Sequence, residues 1–440
     1  MADNWSKYGS DPWWEEENAS IGWSGRVAFA TPPGGRTVAF RPRDLLVPTA
    51  RAADAQAFLS KRSWAREVTV DRTPVGLFTR LENVPDPIRA VEELRVQLGV
   101  TAQPNHVFFV HCGDWCPPHP AWRGAYGYRR RGGFNPAEIN PAEINPNHPW
   151  RTTGVRRSSA RPATPPPAAA PPPPFTGTPR VFVLDTGLAK NGVPSEPAEL
   201  AALAAVIDGE RVDVPDFDSN DLLDPAAGHG TFIAGVINRL APGCKITVER
   251  VASIYGDVTE ATAAAKILNL AGGPGTILNL SFGGYAYDDN AAVLADAIRT
   301  FQDSGGVVVA SAGNDGTCCP TYPAALPGVV SVGALAAWGP APFTNYGPWV
   351  RACAPGVDLL SLFFNFNGAL GLGVDEVDDD AFTGWAQWSG TSFAAPVVVG
   401  ALVRTMVSAQ VPAAEAVRRV VDAPALFRLP SLGTVVNVAS

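Results

Sequence analysis

The sequence predicts an α/β protein in three layers around a mostly parallel central sheet, preceded by a small α+β domain. Two observations carry this. From residue 180 onward, short β-branched runs alternate with helical stretches, as in parallel strands joined by crossover helices. Ahead of them lies RPATPPPAAAPPPPFTGTP (161–179), with 9 prolines in 19 residues. That composition favours extended polyproline II and acts as a semi-rigid linker between two folded units.

The strands expected after the linker are Val181–Leu184, Ile246–Val251, Thr276–Leu280, Val307–Ala310 and Val329–Val332. Helices are expected at Glu196–Val206, Gly230–Leu240, Glu260–Leu270, Asn290–Ser304, Ser392–Met406 and Ala413–Val421. Right-handed crossovers put helices on both faces of such a sheet. Active sites in these sheets gather at the carboxyl ends of the strands.

Before the linker, Thr37–Arg41 and Leu45–Val47 are strand-like, and Ala52–Trp64 sets Ala55, Phe58 and Leu59 at helical spacing. Val68–Val70 and Val75–Thr79 predict two strands turning at Thr73-Pro74. Pro85 opens a helix carrying Ile88, Val91, Leu94 and Leu98, Gly99 stops it, and His106–Val110 is a last strand. The order β-α-β-β-α-β is that of the ferredoxin-like fold. The expected division is a polar extension (1–35), this domain (36–111), a linker (112–179) and the large α/β domain (180–440). The linker also holds NPAEINPAEINPN (135–147), too short a repeat for a solenoid.

Bulk properties exclude some classes. Apolar residues are 46% of the 440, enough for a large core, and the formal charge of −8 argues against nucleic acid. No run approaches the roughly 18 consecutive apolar residues of a membrane span. The first 25 residues are polar and acidic, unlike a secretory signal, so a cytoplasmic location is expected. Six cysteines in so long a chain do not suggest a disulfide framework. Cys112 and Cys116, flanked by His111 and His119, resemble a metal cluster faintly, but a plain loop explains them as well. The adjacent Cys318 and Cys319 have no explanation at this level.

Three segments carry chemistry. In VFVLDTG (181–187) a buried strand ends in Asp185. In GHGTFIAGVI (228–237) His229 stands where a helix begins. In SGTSFAAP (389–396) Ser392 opens an apolar helix. A serine hydroxyl needs a neighbouring base, and the base needs an orienting group. Histidine serves as the base near neutral pH, and an aspartate fixes its tautomer. Donors must face the developing oxyanion. The Ser392 backbone N–H is one, and Asn314, where VVVASAGNDG (307–316) leaves a strand, offers a side-chain amide. Each piece alone has a bland reading. Ser392 could be a helix cap, His229 a structural histidine and Asn314 a turn residue. All four in one domain, each at an element boundary, are not expected by chance.

These boxes resemble the Asp, His and Ser boxes of the subtilisin-like serine peptidases, over roughly residues 178–425. Their order Asp, His, Ser is that of subtilisin. The resemblance implies Asn314 as the oxyanion-hole residue. It implies Ser281, Phe282 and Gly283 of ILNLSFGG (277–284) as the substrate-binding strand. The opposite wall would be Ala310–Gly313, with Ala312 and Gly313 binding substrate. One departure is Phe232, where the usual box has a second histidine. Another is the stretch Phe363–Phe382 with DEVDDD (375–380). It could bind structural calcium, though a solvated insertion loop is the plainer reading. No cofactor is required. The resemblance further implies a polypeptide substrate and an N-terminal domain acting as intramolecular inhibitor, with neither nucleic acid nor membrane as partner. Gln103-Pro104-Asn105-His106 resembles the end of such prodomains.

Asp303-Ser304-Gly305 would be the second box of a pepsin-like peptidase, but it falls at a helix end. Sedolisins use glutamate where His229 stands. An α/β-hydrolase would need a second glycine after Ser392. The remaining alternative is a catalytically silent binding module on the same scaffold.

Overall fold

In the computed structural model, the described residues are 26–31, 36–110, 161–163, 179–190, 198–217, 223–224, 226–253, 256–289, 291–367 and 381–436. The Cys112/Cys116 cluster and the acidic stretch 375–380 lie outside them.

The N-terminal unit contains β1 (Ala28–Ala30), β2 (Val38–Pro48), α1 (Ala52–Leu59), β3 (Thr69–Val70), β4 (Phe78–Glu82), α2 (Pro87–Leu98) and β5 (Gln103–Phe109). Its strands run β5-β2-β4-β3, all antiparallel, with β1 paired to β2. β1 lies in the stretch expected to be a polar extension. The two strands expected at 37–47 are one strand, β2, whose register with β5 shifts between Phe40 and Leu45. Arg43, with φ of 67°, marks the irregularity. α2 is delimited as its sequence suggests: the Asp86 side chain accepts from Arg89 N–H at 2.9 Å, and Gly99 closes it in the left-handed region. Leu45, Leu59, Leu81, Ile88 and Leu94 fill the core between sheet and helices.

The larger unit begins with β6 (Arg161–Pro162), β7 (Arg180–Asp185), β8 (Leu188–Ala189), α3 (Ala198–Ala202), β9 (Ile207–Gly209) and β10 (Arg211–Asp213). Next come α4 (His229–Leu240), β11 (Lys245–Arg250), β12 (Asp257–Thr259), α5 (Glu260–Leu268), β13 (Thr276–Leu280), α6 (Ala292–Asp303), β14 (Val307–Ser311), β15 (Val330–Ala336) and β16 (Gly339–Pro340). The chain continues through β17 (Ala352–Pro355), β18 (Leu359–Asn367), β19 (Ala381–Trp388), α7 (Thr391–Ala409), α8 (Ala413–Val417), β20 (Arg428–Leu429) and β21 (Gly433–Val435). The main sheet runs β20-β21-β17-β15-β14-β13-β7-β11-β9, parallel from β21 to β9.

β7 shows why the sheet is the middle layer. Val181 and Val183 pack with α4 and α7 on one face, while Phe182 and Leu184 pack with α5 and α6 on the other. A strand buried on both faces has no polar alternation to show, hence its continuous apolar run. α7 is long and apolar enough by composition to cross a membrane, but 72% of that stretch is buried within the protein. β18 and β19 form a hairpin, and β6, from the expected linker, pairs with β19.

The two units share a sheet edge: β12 pairs antiparallel with β5, Val258 opposite Phe108.

Candidate active site

β7 is flanked by β11 on one side and β13 on the other, so successive connections leave it in opposite directions. A crevice forms at the carboxyl edge of such a switch point. Asp185 is the last residue of β7, His229 the first of α4 and Ser392 the second of α7. All three are buried.

His229 Nδ1 lies 2.8 Å from Asp185 Oδ1 and 2.9 Å from Oδ2. Thr186 N–H donates to Asp185 Oδ1 at 2.8 Å, which fixes the carboxylate plane. A carboxylate only accepts, so Nδ1 carries the proton and Nε2 is the basic nitrogen. The ring is held by Trp388 and Phe393, with centroids 5.5 and 5.0 Å away. Phe232 packs edge-on against Trp388 and tilted against Phe393, at 5.7 and 4.6 Å. Its departure from the usual box therefore completes an aromatic wall behind His229. Gly230 is required by proximity: a Cβ there would collide with the Gly187 carbonyl and lie 3.3 Å from Asp185 Cβ.

Asn314 Oδ1 accepts from Thr391 N–H at 2.9 Å and from Thr391 Oγ1 at 2.8 Å. With the oxygen so occupied, Nδ2 is the donor edge of this amide. The Ser392 N–H belongs to the first turn of α7, where helical partners are lacking. Gly313 N–H donates to Thr391 Oγ1 at 3.1 Å, and the Ala312 carbonyl accepts from Thr321 and Asn345. The expected second wall is thus strapped to the start of α7.

The expected substrate strand is beside Ser392. Ser281 Oγ donates to the Ser392 carbonyl at 2.8 Å. Gly283 exchanges two backbone hydrogen bonds with Phe109, at 2.9 and 2.8 Å. Val110 N–H donates to the Gly256 carbonyl at 2.9 Å. Phe108 stacks on Phe282 with centroids 6.5 Å apart. The end of β5 therefore lies between the β12 edge and Ser281–Gly283, as a third strand. The Ser392 hydroxyl faces two carbonyl oxygens, Val110 at 3.0 Å and Ser281 at 3.2 Å.

Side chains of β5 also cap helices of the larger unit. Asn105 Oδ1 accepts from Ala261 N–H in α5 at 3.2 Å, and Gln103 Oε1 from Ala292 N–H in α6 at 2.9 Å. The buried Glu260 accepts from Gln103 Nε2 and His106 Nδ1, each at 2.6 Å, and from Leu294 N–H at 3.0 Å. His106 Nε2 accepts from Tyr287 N–H at 2.9 Å, so Nδ1 carries the proton.

Sequence reasoning missed Asp213. Its Oδ2 accepts from Thr186 Oγ1 at 2.6 Å and Gly228 N–H at 3.0 Å. Burial, with Asp185 nearby adding to it, pushes its carboxyl pKa up to about 8. Nothing in the short run RVDV marks it in the sequence. Among the described residues, no group of three or more His, Cys, Asp or Glu could hold a metal ion.

A parallel sheet whose edge gathers a buried Asp–His pair and a helix-opening serine defines a class, the subtilisin-like serine peptidases. The profile of the Subtilase family matches residues 177–422, and the chain belongs to that family. It is 33% identical over 209 residues to the thermophilic serine proteinase of Bacillus sp. (strain AK1), covering 44% of this chain and 46% of that protein. It is 29% identical over 233 residues to thermitase of Thermoactinomyces vulgaris, covering 50% and 72%. The chain thus spans about half the length of the first of these relatives. The crystal structure of fervidolysin from Fervidobacterium pennivorans, a keratinolytic enzyme related to subtilisin, superposes with a TM-score of 0.52 at 20% identity. That match covers 91% of this chain and 60% of fervidolysin, so the fold likeness extends beyond the peptidase unit.

Proposed function

We propose that the protein is a serine endopeptidase whose Asp185, His229 and Ser392 form the catalytic triad, inhibited by its own N-terminal unit. The observation that carries this reading is the antiparallel seating of Phe109–Val110 against Gly283 and Gly256, with the Val110 carbonyl 3.0 Å from Ser392 Oγ. An added strand is how an extended peptide is recognised by a sheet edge. A polypeptide substrate would occupy the same groove.

His229 Nε2 takes the Ser392 proton once the hydroxyl turns from the carbonyls toward it. Ser392 Oγ attacks the scissile carbonyl carbon. Asn314 Nδ2 and the Ser392 N–H stabilise the oxyanion. His229 then protonates the leaving amine, and water hydrolyses the acyl-enzyme through the same groups. Asp185 keeps the proton of the imidazole on Nδ1 and balances the imidazolium charge. The chemistry needs no cofactor.

The Val110 carbonyl is the one beside Ser392 Oγ, so the first bonds delivered to Ser392 are Val110–His111 and, one residue on, His111–Cys112. The test is intact mass after labelling with a fluorophosphonate probe, beside Ser392→Ala. Wild type should lose residues 1–110 or 1–111 and label, while Ser392→Ala stays whole and unlabelled. A folded wild type that neither cuts itself nor labels, even with residues 1–178 removed, refutes the reading in favour of a silent binding module.

A further inference from the structure

We propose that Asp213 is a positioning residue for catalysis: one oxygen of its buried carboxyl group ties Thr186, next to Asp185, to Gly228, next to His229. This rests on the peptidase reading above.

Asp185 and His229 come from different elements, the end of β7 and the start of α4. Their hydrogen bond depends on how those two chain ends are held. Thr186 Oγ1 stands at the crossing. It donates to Asp213 Oδ2 at 2.6 Å and accepts from Gly230 N–H at 3.1 Å. Asp213 Oδ2 also accepts from Gly228 N–H at 3.0 Å. Asp213 thus reaches both sides of His229, directly at Gly228 and through Thr186 at Gly230. The same threonine donates its own N–H to Asp185 Oδ1. One carboxyl oxygen in β10 therefore fixes the strand end and the helix start together.

A purely structural bridge would not need a carboxyl group. The other oxygen, Oδ1, is buried and has no hydrogen-bond partner among the described residues. An acid held this way costs stability in its charged form. The groups facing it are the Thr186 hydroxyl, the Gly228 N–H, the Asp185 carboxylate and the Arg250 guanidinium from β11. Burial and Asp185 disfavour its ionisation, and Arg250, Thr186 and Gly228 favour it. The group changes charge near pH 8. Above that pH, the charge makes Oδ2 a stronger acceptor for the Thr186 hydroxyl and the Gly228 N–H that flank the Asp185–His229 pair.

The test compares self-processed wild type with Asp213→Asn, Asp213→Ala, Thr186→Val and Thr186→Ser. The substrate is an internally quenched peptide carrying residues 105–114 of this chain. Turnover of wild type should show a rise near pH 8. Asp213→Asn keeps an accepting oxygen without the charge, and should lose that rise. Asp213→Ala and Thr186→Val should lower kcat at least tenfold with KM changed less than twofold. Thr186→Ser should restore kcat, because it restores the bridging hydroxyl. An active wild type whose pH profile is unaltered by Asp213→Asn overturns the proposal. So does Thr186→Val with wild-type kcat, or losses carried by KM. Wild type that neither turns over this peptide nor labels at Ser392 overturns the peptidase reading itself.

Discussion

His106→Ala should unlock the N-terminal unit without touching Asp185, His229 or Ser392. The ring is fully buried between β5 and the peptidase unit. It donates to Glu260 Oε2 at 2.6 Å and accepts from Tyr287 N–H at 2.9 Å. Glu260 Oε2 keeps Gln103 as a donor, but the Tyr287 amide loses its partner. A buried donor left unsatisfied costs about 1–3 kcal/mol, and a hydrogen bond to a charged group is worth about 1.5–3 kcal/mol. Together these weaken docking by roughly 2–5 kcal/mol, allowing for water entering the gap. At about 1.4 kcal/mol per decade, the open population rises at least ~30-fold. The assay is the rate of fluorophosphonate labelling of Ser392 in full-length chain, with intact mass separating uncut from cut molecules. Uncut His106→Ala should label at least ~30-fold faster than uncut wild type. A ratio below about threefold would show that this buried pair contributes little to holding the strand in the groove, and that the reasoning from unsatisfied donors fails here.

Further outcomes concern the site itself. Asn314→Ala should raise the barrier by about 2.7–4 kcal/mol in kcat, and a loss under tenfold would remove Asn314 from the oxyanion hole. Gly230→Ala should abolish turnover, because the new methyl group displaces the Gly187 carbonyl beside Asp185; retention of more than a tenth of wild-type kcat would contradict this. Stability should also depend on pH through Asp213, measured in the Ser392→Ala background to prevent self-digestion. Its pKa is raised from 3.8 to about 8, so the native state binds the proton more tightly than the unfolded chain. Its contribution is full below about pH 4 and is lost as pH rises to about 8. At about 1.4 kcal/mol per unit this is on the order of a few kcal/mol. Adding Asp213→Asn should flatten chemical denaturation midpoints between pH 5 and 9, and unchanged curves would refute the assignment.

The core of the peptidase unit was legible because its strands are buried on both faces. Val181–Leu184 and Val307–Ala310 appear as apolar runs with no competing period, and each lies in a strand. The boxes around Asp185, His229 and Ser392 were legible for a different reason. Close packing of a helix start against a strand end demands glycine, as at Gly230, and such demands leave a mark in the sequence. Short strands leave none. β12 and β10 have three residues each, too few to display a period, yet one forms the groove edge and the other supplies Asp213. The expected helix Ala52–Trp64 ends at Leu59, where the bonding tightens from i→i−4 (Ser60 to Gln56) to i→i−3 (Lys61 to Phe58, Arg62 to Leu59). The β18–β19 hairpin was hidden by the Gly-rich and acidic stretch between its strands. The seating of Phe108–Val110 in the groove joins residues more than 170 positions apart, Phe109 with Gly283, and no local pattern encodes it.

The strand in the groove and the strand β6 on the hairpin bracket residues 111–160 of the chain. On the proposed reading, while that segment is whole the N-terminal unit and the groove it fills belong to one molecule. A tether within one chain sustains an effective concentration on the order of a millimolar. A contact of only ~1 μM strength would then stay closed about 99.9% of the time. Cutting after Val110 or His111 removes the tether and leaves every contact in place. The same contact now obeys mass action at the protein's own concentration, and at ~10 nM most of it would come apart. Release would then follow from dilution, and a crowded preparation would stay silent where a dilute one becomes active.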